Sequence, residues 1–152
     1  MRFPWQKKKQ FLTEEENQQL VDAIKKAEQR TSGEIRVFVE SKCKFVDAID
    51  RAQEIFVNLK MTETELRNAT LIYVAVKDRQ VSVFGDEGIH QRVGEQYWQT
   101  IIRTMLQHFR QEKLADGISH GIHDLGEALS THFPYNSETD KNELPDEIVF
   151  GK

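Results

Sequence analysis

Apolar positions along this chain change period several times, and each change marks a predicted element. Leu20, Val21, Ile24 and Ala27 recur at the spacing of one helix face. Thr13 and Glu16 precede them at the spacing of a capping box, in which each side chain satisfies an amide of the other's turn. A helix therefore begins at Thr13, and Thr31-Ser32-Gly33 stops it. From Glu34 to Glu40 the period drops to two, with Ile35, Val37 and Val39 alternating with Glu34, Arg36, Phe38 and Glu40, the signature of a strand. Val46, Ile49, Ala52, Ile55, Phe56 and Leu59 give one face of a second helix. Thr62 and Glu65 repeat the capping-box spacing over a short helical turn.

Leu71 to Val76 is an unbroken apolar run rich in β-branched and aromatic residues, which predicts a central strand buried on both faces. Lys77-Asp78-Arg79 is a polar turn. Val81 to Phe84 forms a third strand, ended by Gly85-Asp86-Glu87-Gly88. Two long helices follow. The first carries Tyr97, Trp98, Ile101, Ile102, Met105, Leu106 and Phe109, which makes Trp98 a core residue. The second carries Leu114, Ile118, Ile122, Leu125, Leu129 and Phe133 and stops at Pro134. Gly117 and Gly121 lie one turn apart on it, where glycine weakens a helix but permits close packing. Residues 134–152 are polar and acidic, yet end in the strand-like Glu147-Ile148-Val149-Phe150-Gly151. This segment reads as an ordered extension that adds an edge strand. The chain thus divides into an N-terminal tail (1–12), an α/β domain (13–134) and an acidic extension packed on it (135–152).

Connection lengths set the sheet's geometry. The first two strands are separated by a helix and should be parallel, with a right-handed crossover. The second and third are joined by a short turn and should be antiparallel. Strand one's start, strand two's start and strand three's end then share one edge of the sheet. That edge collects Gly33, Glu34, Arg67, Asn68, Gly85, Asp86, Glu87 and Gly88. If the acidic extension crosses there, Asp140, Asn142, Glu143 and Asp146 join it.

Oxygen ligands converging on loops suit a hard divalent cation: calcium takes six to eight oxygens in flexible geometry, magnesium a strict octahedron. The other reading of the same acids is that they cap helices and keep the surface solvated. Asp140-Lys141-Asn142 alternates like the start of an EF-hand loop, but the loop's glycine and terminal glutamate are missing. His120 and His123, three apart on a helix, resemble a metal pair, but no fuller signature surrounds them and they read as surface residues. Without a thiolate or histidine set, zinc and copper are disfavoured.

Composition narrows the class further. Hydrophobic residues at 38% and charged residues at 30% suit one packed domain. The net charge of −4 disfavours nucleic acid as the main partner. Cys43 is the only cysteine, so no internal disulfide and no thiolate cluster is expected. The N-terminus has basic residues but no apolar stretch after them, and no run approaches a membrane span. The expectation is a cytoplasmic chain with no integral membrane segment.

The run Gly33 to Glu40, then Leu59-Lys60-Met61 with Thr64 and Arg67-Asn68, Leu71 to Ala75 with Asp78-Arg79, and Gly85-Asp86-Glu87-Gly88-Ile89 resembles the TPM domain. The likeness continues through Val93-Gly94, Tyr97-Trp98, Gly117-Ile118, Gly121-Ile122, Gly126 and His132-Phe133-Pro134. It covers roughly residues 13–134, and the tail with Asn142-Glu143-Leu144-Pro145 is similar to that of stand-alone bacterial members. The resemblance implies an α/β/α sandwich, Rossmann-like, with a small mixed central sheet. It also implies divalent-cation binding, most often calcium. The expected ligands are Glu34, Asp86, Glu87, Asp140, Asn142, Glu143 and Asp146, with magnesium as the second ion. Such a chain would be a metal-responsive regulatory or protein-interaction module, with a protein as possible partner. The alternative is a metal-dependent acid phosphatase, an activity ascribed to plant members, in which Asp86 leads the ligands and Arg67 contacts phosphate. A third reading is a purely structural interaction domain that assembles through Trp98 and the N-terminal aromatics.

Overall fold

Thr13 caps α1 (Glu14–Glu28) through the expected box: its hydroxyl accepts from the Glu16 amide, and the Glu16 carboxylate accepts from the Thr13 amide. The chain is described by a computed structural model over residues 11–44, 47–136 and 143–151. Leu20, Ile24 and Ala27 turn α1's apolar face inward. After Gly33 come β1 (Glu34–Glu40), α2 (Ala48–Asn58), β2 (Ala69–Ala75) and β3 (Gln80–Gly85). The chain continues through α3 (Glu87–Val93), α4 (Glu95–Arg110), α5 (Leu114–His132) and β4 (Val149–Phe150).

The sheet order is β3-β2-β1-β4. β1 and β2 are parallel, β2 and β3 antiparallel, and β4 runs parallel to β1 opposite Phe38 and Val39. Helices cover both faces. Ile35, Val37, Val39, Ile72, Val74 and Val83 pack into one core with α1, α4 and α5. Phe38, Leu71 and Tyr73 pack into a second with Ala52, Ile55 and Phe56 of α2, and with Met61 and Leu144. The fold is an α/β/α sandwich around a small mixed sheet. No helix among the described residues is long and apolar enough to cross a membrane.

Several local expectations change. The Thr62–Glu65 spacing forms no helix. α2 instead closes with Lys60 in the left-handed region (φ 58°), its amide bonded to Val57 O while the Met61 amide bonds to Phe56 O. This Schellman-type close turns the chain back toward β2, leaving too few residues to nucleate another helix. Ile49, expected on the buried face of α2, is 44% exposed, because it stands in the first turn at the sheet's β3 margin. Gly85-Asp86-Glu87-Gly88 does not simply end a strand. Asp86 caps α3 by accepting from the Glu87 amide, and α3 is an element the apolar pattern did not announce.

Two glycines permit close approach. A Cβ on Gly121 would lie 2.7 Å from Met105 Sδ, where α5 meets α4. A Cβ on Gly88 would collide with the carbonyl oxygens of Leu66 and Arg67, and the Gly88 amide donates to Arg67 O at 2.8 Å. Alanine normally stabilises a helix over glycine by about 1 kcal/mol, but backbone atoms cannot swing aside as side chains do. Gly88→Ala is therefore expected to destabilise the fold by about 2 kcal/mol. Urea unfolding measures this, and a gain in stability would contradict the tight junction.

Candidate metal centre

The strand register puts the predicted polar edge together. Glu34 pairs with Ala69 and Thr70 with Gly85, and the Asp86 amide donates to Ala69 O at 2.9 Å. The C-terminal extension crosses this edge. The Glu143 amide donates to Glu34 Oε1, and Glu143 Oε2 accepts from the Glu65 amide at 3.2 Å. Leu144 and Ile148 anchor the extension, each 8% exposed.

The edge acids fall into two groups. Asp86 is held by Arg67, with Nε 2.6 Å from Oδ2 and Nη2 2.8 Å from Oδ1. Glu87 joins them at 3.3 Å from Nη1. Arg67 reaches them from a left-handed backbone (φ 51°) just before β2. The second group is Glu34, Glu143 and Asp146, together with Glu28 from the last turn of α1. Asp140 and Asn142 lie outside the described residues. His123 Nε2 is 3.7 Å from Glu127, while the His120 ring lies against His108 with centroids 4.6 Å apart.

Glu28 was not anticipated. Its Oε2 accepts from the Ile35 amide at 2.8 Å, on the outer edge of β1 where β4 does not reach. A carboxylate in a helix's last turn opposes the helix dipole, and that misfit was the one signal of a tertiary role. Burial, a hydrogen bond to Asp146 and the charge of Glu34 push its carboxyl far above the ordinary range, so it carries a proton. Burial also raises Glu34, to about 7, with the nearby charges of Glu143 and Asp146 adding to the rise. Arg36, 7% exposed, faces Asp146 and Glu147, and burial lowers its own affinity for a proton.

The 64–68 turn, which meets Glu34 and Glu143 through its backbone, carries two buried uncharged oxygens. Asn68 is fully buried, and its backbone oxygen accepts from the Glu34 amide, but its side-chain Oδ1 has no hydrogen-bond partner among the described residues. The buried Thr64 hydroxyl, beside Glu65, also has none. A buried oxygen without a donor costs about 1–3 kcal/mol. Among the described residues, no group of three or more His, Cys, Asp or Glu side chains is arranged to hold a metal ion as it stands.

At the far end of β1 the same residue type meets opposite surroundings. Glu40 receives Arg51 Nε and Nη2, each at 2.9 Å, and the Tyr73 hydroxyl. Burial alone would raise its pKa, but these bonds and the Arg51 charge bring it below the usual value. Glu40 has a resident cation, whereas Glu34 has the carboxyl groups of Glu28, Glu143 and Asp146 for neighbours among the described residues.

A small α/β/α domain with buried acids gathered at the starts of its parallel strands is thus the class that fold and site define. The sequence profile of the TPM domain matches residues 6–128, and the chain belongs to that family. Among solved structures, the chain is similar to the BA42 protein of the psychrophilic bacterium Bizionia argentinensis. The two are 43% identical, with a TM-score of 0.87, over 95% of this chain and 99% of that one. The N-terminal domain of a protein from P. gingivalis shares the fold at 17% identity and TM-score 0.66, covering 82% of each chain. The N-terminal domain of the cg2496 protein of Corynebacterium glutamicum shares it at 16% identity and TM-score 0.58, covering 78% of this chain and 74% of that one. No curated protein matches the chain.

The raised Glu34 carboxyl sets a pH dependence. The unfolded chain releases this proton near 4.5 and the folded chain near 7. Its contribution to stability is full below 4.5 and is lost as pH rises through about 7. The loss is on the order of 2 kcal/mol, or roughly 5 °C in melting temperature. Chelator-treated protein is expected to melt lower at pH 8 than at pH 5, and Glu34→Gln to lessen the fall while the part owed to buried Glu28 remains. A wild-type profile already flat over this range would contradict the buried-acid reading.

Proposed function

We propose that this TPM domain is a divalent-cation-binding module, with calcium the preferred ion and magnesium the second, and that the ion fastens the C-terminal extension to the start of β1. The supporting observation is the meeting of Glu28, Glu34, Glu143 and Asp146 at one edge, next to the 64–68 turn, whose Asn68 and Thr64 side-chain oxygens have no hydrogen-bond partner among the described residues. A calcium ion takes six to eight oxygens, mixing carboxylates with neutral ones. It would replace the protons that now let the carboxyl groups sit together. Arg36 supplies one positive charge nearby, so a single divalent ion suffices to offset most of the rest.

Asp86 and Glu87 fit this site less well, because an ion reaching them has to displace the Arg67 guanidinium. The same contact weakens the phosphatase alternative: Arg67, its expected phosphate contact, already faces two carboxylates. The regulatory reading rests on the extension. Its Glu143 ties to β1 and to the 64–68 turn, so an ion there alters how Phe150, 39% exposed, and the neighbouring surface meet a partner.

A calcium titration of metal-free protein, followed through backbone amide NMR shifts, tests the site. Saturable shifts are expected at Glu34, Glu65, Asn68 and Glu143, with a calcium-induced rise in melting temperature larger at pH 8 than at pH 5. Glu34→Gln is expected to weaken binding at least tenfold. Small, diffuse and unsaturated shifts would show instead that these acids are a proton-sharing structural cluster.

A further inference from the structure

We propose that His108 and His120 form a second metal site, for a late divalent transition metal, with copper(II) or nickel(II) preferred over zinc. The site lies where the last turn of α4 meets the second turn of α5. Its position follows from close helix packing. A Cβ on Gly117 would sit 2.6 Å from the Phe109 ring and 3.0 Å from His108 Cβ, so the absent side chain lets His108 reach across to α5. His120 stands one turn further along α5, and the two imidazole centroids are 4.6 Å apart with planes inclined by 35°.

That separation has a chemical meaning. A metal held about 2.0 Å from each ligating nitrogen lies about 3.2 Å from each ring centroid. Two rings at right angles about it then have centroids about 4.5 Å apart, and a tetrahedral pair about 5.2 Å. The observed spacing is compatible with the right-angled pair, the geometry of tetragonal copper(II) and octahedral nickel(II).

The tautomer matches as well. His108 Nδ1 lies 3.0 Å from Thr104 O. A carbonyl only accepts, so Nδ1 carries the proton and Nε2 keeps its lone pair. A backbone carbonyl fixing one ring nitrogen in this way is the usual second contact of a ligating histidine.

The surroundings are polar and open. A groove of about 290 Å³ is lined by both histidines with Gln19, Gln111, Lys113, Asp116 and Ser119. Asp116 is one turn before His120 on the same face of α5, placed to accept from a metal-bound water or to ligate after a rotamer change. Lys113 is the opposing charge. Since the described residues hold no ready set of three such ligands, water completes the coordination. Gln19 is about 13 Å along α1 from Glu28, at 1.5 Å per residue, so this site is separate from the carboxylate edge and takes softer ions.

The test is a copper(II) titration of metal-free protein, read by imidazole NMR and by electron paramagnetic resonance. Substoichiometric copper is expected to broaden the His108 and His120 ring signals first, and the resonance spectrum to carry nitrogen couplings from two imidazoles. His120→Ala, at an exposed position, is expected to weaken binding at least tenfold with an unchanged amide spectrum. His123→Ala is expected to leave it as in the wild type, and millimolar calcium not to displace the copper. Equal affinity in His120→Ala, or first broadening at other residues, would overturn the proposal and leave the two rings as a packing contact.

Discussion

β1 has two edges, and its sequence neighbours serve only one. β2 pairs along its whole length, while the other edge faces outward with amides and carbonyls that need partners. Two unrelated pieces of chain complete it. Glu28 accepts from the Ile35 amide near one end, and β4 pairs opposite Phe38 and Val39 near the other. All seven residues of β1 are buried as a result, including Glu34, Arg36 and Glu40. The position of the extension, the second core with Leu144, and the carboxyl cluster all depend on this closure.

Burying charged residues in a central strand is costly unless each finds compensation. The strand's ends meet that demand differently. Glu40 is neutralised within the protein by Arg51 and Tyr73. Glu34 is surrounded by acids, so in the absence of an ion it shares protons with them. A structure that spends a guanidinium at one end and collects carboxyls at the other has an electrostatic asymmetry along one strand. The proposed calcium site supplies the missing cation, and the two proposed sites then divide by ligand softness, oxygen at the strand edge and imidazole between α4 and α5.

Much of the fold was legible in the residues because it rests on local periodicity. The Thr13–Glu16 box starts α1, β1 spans Glu34–Glu40, and the run from Leu71 lies in a strand buried on both faces. Ile148-Val149-Phe150 reads as strand-like, and Val149–Phe150 forms β4. Gly117 and Gly121 do mark close helix packing. The misreadings came where a tertiary demand outweighed a local pattern. Thr62 and Glu65 had the spacing for a cap but lay in the turn that must deliver the chain to β2. Ile49 fell in an apolar register but beyond the sheet's margin. α3 is too short to show a period, and its one local sign is Asp86, whose capping role is the helix-capping reading of the edge acids.

The sequence by itself determined which segments become helices and strands, which pairs of strands run parallel or antiparallel, and hence which edge gathers polar residues, because spacing and connection length are properties of the chain's order. Only the tertiary structure decided the partners at that edge. It gave Asp86 to Arg67, brought Glu28 from α1 to Glu34, and laid Glu143 and Asp146 beside them. It also set His120 against His108 and His123 beside Glu127. These pairings join residues far apart in the chain, and their energies depend on burial and distance, which no local pattern records.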